Sequence, residues 1–366
     1  MANKSLFRSA APSKPKVPVA NTVNEAGGVA YKLEDRAALA QLVSTGCFNN
    51  TFYVTGEDQL KQVLALAKKV DTDFLAKVAV FSRESGYMKD APALLAATLT
   101  TRGAEGRAAL KKVFPRVIDN GKMLRNFVQI LRSGQVGRKS LGTFPKTLVR
   151  GWMESQTDDR LFKNSVGNDP SMADVIKMVH PKPATKSREA LYAYIIGKDK
   201  GERYLPALVK AYEQFKKGAG ELPDVPFEML TALPLSEAQW KDIAKNLSWT
   251  QLRMNLNTLQ RHNVFSDRKI VSELATKLAD RELIKKAKVF PYQLMAAYMH
   301  ADEQLPMLLR EALQSALDTS LENIPEIGGR VAVFPDHSGS MDSPVTGNRG
   351  YGQTTKVTCK MVAALV

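Results

Sequence analysis

The chain has 366 residues, of which 44% are hydrophobic, and its 52 Lys and Arg residues against 37 Asp and Glu residues give a net charge of +15. This length allows one extended domain or two compact ones, and the charge favours nucleic acid or an anionic membrane as partner, or else a solvated basic face. The two cysteines, Cys47 and Cys359, have no metal-type spacing, and no apolar stretch reaches the roughly 20 residues that span a bilayer. A cytoplasmic, reducing setting is therefore expected, with no role for a membrane.

Residues 1–24 are rich in Pro, Ser, Lys and Ala and contain no continuous apolar segment. This composition predicts a flexible basic arm and not a secretory signal. From about residue 57, apolar residues recur at the spacing i, i+3, i+4 and i+7, as in Leu60, Val63, Leu64 and Ala67. The chain is therefore expected to become helical after the arm.

The helical spacing returns at 74–81 and at 123–131, and the segments end at glycine or proline. Segments of about 10 to 18 residues joined by short turns are typical of stacked helical hairpins. There is no repeat of fixed period, so the units of a solenoid would have diverged. We expect a loop at 216–226 and breaks at Gly86, Gly103, Gly121, Gly134, Gly151, Gly197, Pro223 and Pro234.

Basic residues form small groups along these helices, and aromatic residues such as Phe114, Tyr192 and Phe290 stand near some of them. Cations follow phosphates and aromatic rings stack on bases, so this mixture favours single-stranded nucleic acid, although most such rings are ordinary core residues. The groups are Lys111, Lys112 and Arg116; Arg138 and Lys139; Lys182, Lys186 and Arg188; and Lys285, Lys286 and Lys288.

The pattern changes at residue 325, where a glycine pair precedes the apolar run 331–334. A short apolar run bounded by glycines predicts a strand that is buried on both faces of a parallel sheet. Helical spacing follows at 357–365. Strand, loop and helix in this order predict the opening unit of a doubly wound α/β domain.

Asp336, Ser338 and Ser340 follow the predicted strand at alternate positions. A tight turn can direct this carboxylate and these two hydroxyls at one centre, and such hard oxygen ligands suit a divalent ion, Mg²⁺ above all. The other interpretation is a serine-rich turn that caps a helix.

Four stretches, in order, resemble the TROVE module of the Ro ribonucleoprotein autoantigens and their bacterial relatives. They are "GGVAYKLEDRAALAQLVSTGCFNNTFYV" (27–54), "MVHPKP" (178–183), "SWTQLRMNLNTL" (248–259) and "DRELIKKAKVFPYQLMAAY" (280–298). After them, "VFPDHSGSM" (333–341) resembles the first segment of the metal-ion-dependent adhesion site of von Willebrand factor A domains. The resemblance implies a ring of HEAT-like helical repeats closed by an A domain.

The resemblance also implies a function. In this family, structured small RNAs (Y RNAs) bind the outer surface, single-stranded 3′ ends of misfolded RNAs enter the central hole, and bacterial members tether RNA to an exoribonuclease. The family is not enzymatic.

His180 matches the histidine of the family's Y-RNA surface and Lys163 matches a basic position upstream. Gly167 replaces a second basic residue, and restoring arginine there is expected to strengthen binding. A purely structural reading of His180 is a helix C-terminal residue before Pro181. The other expected RNA-binding residues are Lys182, Arg253, Asn255 and Lys288.

The sequence thus predicts a mostly α protein: an arm at 1–24, a TROVE helical-repeat domain at 25–324, and at 325–366 the first strand, metal-site loop and first helix of an A domain. The predicted function is RNA binding in quality control or processing, without catalysis. One alternative is a helical scaffold whose basic face binds an acidic protein. A metal-assisted nuclease using Asp336 is disfavoured because its loop offers only one other carboxylate, Asp342.

Overall fold

The structure is a computed structural model that describes residues 20–23, 27–46, 48–51, 54–198, 202–324, 326, 328–345 and 355–365. Most of the predicted arm at 1–24, and Cys47, lie outside the described residues. Residues 22–23 form a short strand, β1 (Thr22–Val23), which pairs antiparallel with β2 (Val29–Ala30).

The described part of the chain is mainly helical, which confirms the predicted fold class. The first ten helices are α1 (Asp35–Thr45), α2 (Gly56–Lys69), α3 (Thr72–Glu84), α4 (Asp90–Leu99), α5 (Gly103–Val117), α6 (Gly121–Ser133), α7 (Thr143–Ser155), α8 (Asp158–Lys163), α9 (Met172–Val179) and α10 (Lys186–Ile195). They are followed by α11 (Ala207–Lys216), α12 (Phe227–Leu230), α13 (Glu237–Asn246), α14 (Trp249–Arg261), α15 (Arg268–Ala279), α16 (Arg281–Ala287), α17 (Pro291–Met299), α18 (Met307–Ser320) and α19 (Cys359–Ala363).

Helix α6 shows how the sequence sets these boundaries. The side chain of Asn120 accepts a hydrogen bond from the Met123 N–H at its start, and Gly134 ends it in the left-handed conformation. Between these residues, Met123, Phe127 and Leu131 are buried, as their spacing predicts. The break predicted at Gly151 is wrong: this glycine lies inside α7, where propensity alone does not stop a helix that is packed against others.

The helices pack around two hydrophobic cores. One runs from Leu39 to Tyr212 and the other from Phe215 to Ala316. The change from one core to the other falls within α11, between Tyr212 and Phe215, and the predicted loop follows at 217–226, since Lys216 is still the last residue of α11. Val225, in this loop, packs against both cores, so the loop also acts as a joint between the two halves.

A contact between distant parts of the chain closes the helical array. The Lys288 ammonium lies 4.4 Å from the centre of the Tyr87 phenol ring and is hydrogen-bonded to the Tyr87 hydroxyl, although the two residues are 201 positions apart. Both residues have a positive φ, 50° for Lys288 and 54° for Tyr87. Since Tyr87 lies between α3 and α4 and Lys288 follows α16, the array curves back on itself as a ring does.

The tail after α18 does not form the predicted strand. Residues 331–334 belong to no strand, and Phe334 is 89% exposed. A buried strand needs neighbours on both edges and both faces, and among the described residues no strand lies beside this run. The predicted helix does form, as α19. Within the described part of the chain, no helix is long and apolar enough to span a bilayer.

Candidate functional site

Lys163 ends helix α8 and forms an ion pair. Its Nζ lies 2.6 Å from Oδ2 of Asp224, which belongs to the loop between the two cores. The Lys163 side chain is 34% exposed and that of Asp224 is 91% exposed. A ligand phosphate can therefore bind Lys163 only by displacing the Asp224 carboxylate. Among the described residues, Lys163 is the one partner of that carboxylate.

His180 terminates helix α9. It adopts the left-handed conformation, with φ of 48°, and its backbone N–H donates to the carbonyl of Ile176. Pro181 follows, so the helix cannot continue easily. The side chain is exposed, and its imidazole has no hydrogen-bond partner among the described residues. The backbone of His180 thus performs the predicted capping role, while its imidazole stays accessible to a ligand.

Lys182 is exposed two residues later and forms no ion pair within the described chain. Helices α8 and α9 both contact α10. Lys163, His180 and Lys182 therefore lie at the ends of helices that share one neighbour, and we call these three residues the α8–α9 surface.

Gly167, in the loop after α8, has a φ of +111°, a conformation that L side chains rarely adopt. A Cβ added there would lie 2.4 Å from Nη2 of Arg125. A side chain at position 167 is therefore strained on this backbone and would displace the Arg125 guanidinium, so the structure does not support the expectation that arginine there strengthens binding. The guanidinium of Arg125 already occupies the space that a side chain at position 167 would need.

Arg253 and Asn255 are directed at the protein. Arg253 donates from Nη1 to the carbonyl of Gln293 at 2.8 Å, so it joins α14 to α17, and burial lowers the pKa of its guanidinium. Asn255 donates from Nδ2 to the carbonyl of Gln251 in its own helix. Arg253 is half-buried and its guanidinium is bonded to the backbone of α17, so this geometry gives it a structural role in the fold.

Lys288 is exposed and lies on Tyr87, whose side chain is 47% exposed. Phe290, two residues later, is also partly exposed. A cation beside accessible aromatic rings is the combination that single-stranded nucleic acid uses, because phosphates pair with the cation and bases stack on the rings.

The turn after residue 335 brings the three predicted metal ligands together. The Ser338 N–H donates to Oδ1 of Asp336 at 2.8 Å, which holds the pKa of this carboxyl below its usual range, and the hydroxyls of Ser338 and Ser340 lie 2.9 Å apart. Asp342 instead pairs with Lys360 at 2.9 Å. Three oxygens supply about half of the octahedral shell that Mg²⁺ requires, so these residues do not make a complete site by themselves.

Comparison with known proteins identifies the relatives of this chain. No family model matches it. The RNA-binding protein RO60 of Deinococcus radiodurans is 25% identical over 354 residues, covering 87% of this chain and 65% of that protein. The crystal structure of the Deinococcus radiodurans Ro (RSR) protein superimposes with a TM-score of 0.58 at 16% identity, over 80% of this chain and 65% of that one. The chain is similar to the Ro proteins over most of its length.

The likeness to the Ro structure confirms the predicted helical-repeat architecture, and the chain spans about 65% of the length of the Ro proteins it matches. Two notable residues of this Ro relative, Tyr87 and Arg125, were not singled out from the sequence. Tyr87 gives no local signal, because its partner is 201 positions away. Arg125 does give a local signal, because it is a charged residue between the core residues Leu124 and Phe127.

Proposed function

We propose that this Ro relative is an RNA-binding protein. Structured small RNA binds its α8–α9 surface, and the single-stranded 3′ end of misfolded RNA binds inside the closed helical array. The observation that carries the proposal is the exposed imidazole of His180, which has no hydrogen-bond partner among the described residues, with the exposed Lys182 two residues later, in a chain that is similar to an RNA-binding protein. The net charge of +15 supports the same conclusion, because phosphate contacts supply most of the sequence-independent affinity.

The contact between Lys288 and Tyr87 is the proposed site for a single strand. There the exposed cation lies 4.4 Å from the centre of the exposed phenol ring, so one site offers a partner for a phosphate and a ring on which a base can stack. The two elements that meet at this contact also close the array, so a strand bound there would lie at its seam.

The protein acts as a tether and not as a catalyst in this proposal. It holds RNA for an exoribonuclease in a cytoplasmic ribonucleoprotein of RNA quality control or processing. Incubation of RNA with the protein and Mg²⁺ should leave the RNA intact. Cleavage that Asp336→Ala abolishes would favour the nuclease alternative, and binding of an acidic protein that competitor RNA does not displace would favour the scaffold.

The decisive experiment compares two synthetic RNA hairpins, one blunt and one with a single-stranded 3′ tail, by fluorescence anisotropy. We expect the tailed hairpin to bind more tightly and both affinities to fall steeply from about 50 to about 200 mM salt. Equal affinity for the two hairpins at about 150 mM salt, where the Debye length is about 8 Å, contradicts binding of 3′ ends. No measurable affinity for either hairpin contradicts RNA binding altogether.

A further inference from the structure

Arg125 is an unusual arginine in this protein. It is 8% exposed, and burial lowers the pKa of its guanidinium, with no carboxylate among the described residues to counter the shift. Its Nη1 donates to the carbonyl of Asn164 at 2.9 Å. A guanidinium has five N–H donors, and among the described residues this is the one protein acceptor that Arg125 meets.

Other partly buried arginines of the array have more acceptors. Arg102 donates to the carbonyls of Ala67 and Val70. Arg188 donates to Asp158 and to two backbone carbonyls. A buried cation without such partners is costly, since its lost hydration is not replaced. Arg125 therefore has unused hydrogen-bonding capacity.

The unused side of Arg125 lies beneath Gly167, an exposed residue. An added Cβ at Gly167 would lie 2.4 Å from Nη2, 2.9 Å from Cζ and 3.3 Å from Nε of Arg125. Gly167 thus lies directly against the part of the guanidinium that makes no protein hydrogen bond, but neither Nε nor Nη2 of Arg125 is fully enclosed. Arg253 offers a contrast, because its Nε is fully enclosed and has no hydrogen-bond partner among the described residues.

Two hydrogen bonds hold this edge of the guanidinium in place. Asn164 accepts from Arg125 through its carbonyl and from the Gly121 N–H through its side chain at 3.0 Å, so it joins the end of α8 to the start of α6. Lys163 immediately precedes Asn164. The edge of the Arg125 guanidinium is therefore positioned next to the α8–α9 surface.

We propose that Arg125 binds an RNA phosphate at the edge of its guanidinium beside Gly167, and that a side chain at 167 would displace the guanidinium from the position this contact needs. The proposal rests on the RNA-binding function proposed above and adds a phosphate subsite to it. Arginine suits the task because its planar fork pairs with two phosphate oxygens. The phosphate would supply the anionic partner that Arg125 lacks in the protein.

The test uses the full chain and the tailed RNA hairpin. Gly167→Ala places a methyl group against the guanidinium and should weaken binding about tenfold, the usual worth of a hydrogen bond to a charged group, while lowering the slope of log affinity against log salt by about one. The matched control is Gly137→Ala, because Gly137 is exposed, also has a positive φ, 79°, and has nothing within 4 Å of an added Cβ. Unchanged affinity and slope in Gly167→Ala, or an equal loss in the control, overturn the proposal.

Arg125→Met supplies a second readout. It removes the charge while keeping an apolar stem, so RNA affinity should fall about tenfold while the melting temperature stays the same or rises. A lower melting temperature with unchanged RNA affinity shows that Arg125 only supports the fold and overturns the proposal. If inorganic phosphate at constant ionic strength stabilises the parent but not Gly167→Ala, and RNA affinity is the same in both, the site takes free phosphate and the RNA assignment is overturned. If the parent binds no RNA, the proposed function itself has failed.

Discussion

Similar apolar residues are buried in the helical array but exposed in the tail after α18. Phe127 in α6 is fully buried, whereas Phe334 in the tail is 89% exposed. Each belongs to an apolar pattern that predicts burial, but only the helices have neighbours against which to pack. A pattern therefore shows what a segment needs to bury, and the rest of the chain decides whether that burial occurs.

The largest expected effect sharpens this difference. Phe127→Ala should destabilise the array by about 3–5 kcal/mol, because it removes a buried ring and leaves a cavity. Phe334→Ala, its matched control, should change stability by less than about 0.5 kcal/mol. Guanidinium chloride denaturation measures both. A large loss in Phe334→Ala would show that the tail packs against something.

The second largest effect tests whether residues of the helical array bind RNA. His180→Asn should weaken binding of a blunt RNA hairpin severalfold and leave the melting temperature unchanged, because asparagine tolerates the left-handed conformation of residue 180. Lys163→Ala should also weaken binding, by about 1 kcal/mol or less for a partly exposed contact. Lys77→Ala is the control, since Lys77 pairs with Asp73 as Lys163 does with Asp224. If His180→Asn lowers the melting temperature and leaves the RNA affinity unchanged, His180 only ends helix α9 and does not bind RNA.

A third comparison concerns carboxylates. Hydrogen bonds from Lys241, Asn263 and Ser266 lower the pKa of Glu237 in the array to about 2 from its ordinary value of 4.5. Since the folded-state pKa is depressed, the stabilisation is complete above pH 4.5 and is lost as the pH falls towards 2. The melting temperatures of the parent and Glu237→Gln should therefore differ at neutral pH and converge in acid. A constant difference would contradict this linkage.

Asp336 in the tail should behave differently. Its hydrogen bond comes from Ser338 in the same turn, so Asp336→Asn should leave the melting temperature of the array unchanged.

The smallest expected effect is metal binding by the tail. We propose that Asp336, Ser338 and Ser340 hold Mg²⁺ weakly, because three protein oxygens and exposed surroundings do not pre-organise an octahedral shell. Isothermal titration with Mg²⁺ or Mn²⁺ should give little heat. Tight binding that Asp336→Ala abolishes would show a self-sufficient site.

The spacing of apolar residues predicted α2 and α6 well, because a helix face is a local property of the sequence. It failed at 331–334, where burial depends on strands elsewhere. The same division holds at the site. His180 and Lys182 are exposed, as the family resemblance implies for a surface motif, but their RNA binding stays a prediction. Arg253 is bonded to α17, which follows it by about 40 residues, and the Lys288–Tyr87 contact depends on how the array closes, so neither environment is a local property of the sequence.

The most direct test of the central claim, that the helical array and not the tail holds RNA, is to map photo-crosslinks. A tailed hairpin containing 4-thiouridine would be crosslinked to the full chain, and the modified peptides identified by mass spectrometry. We predict crosslinks in peptides from 163–182 and in those that contain Tyr87 or Lys288. Crosslinks confined to 328–365, or none above those of a protein without RNA affinity, would contradict the claim.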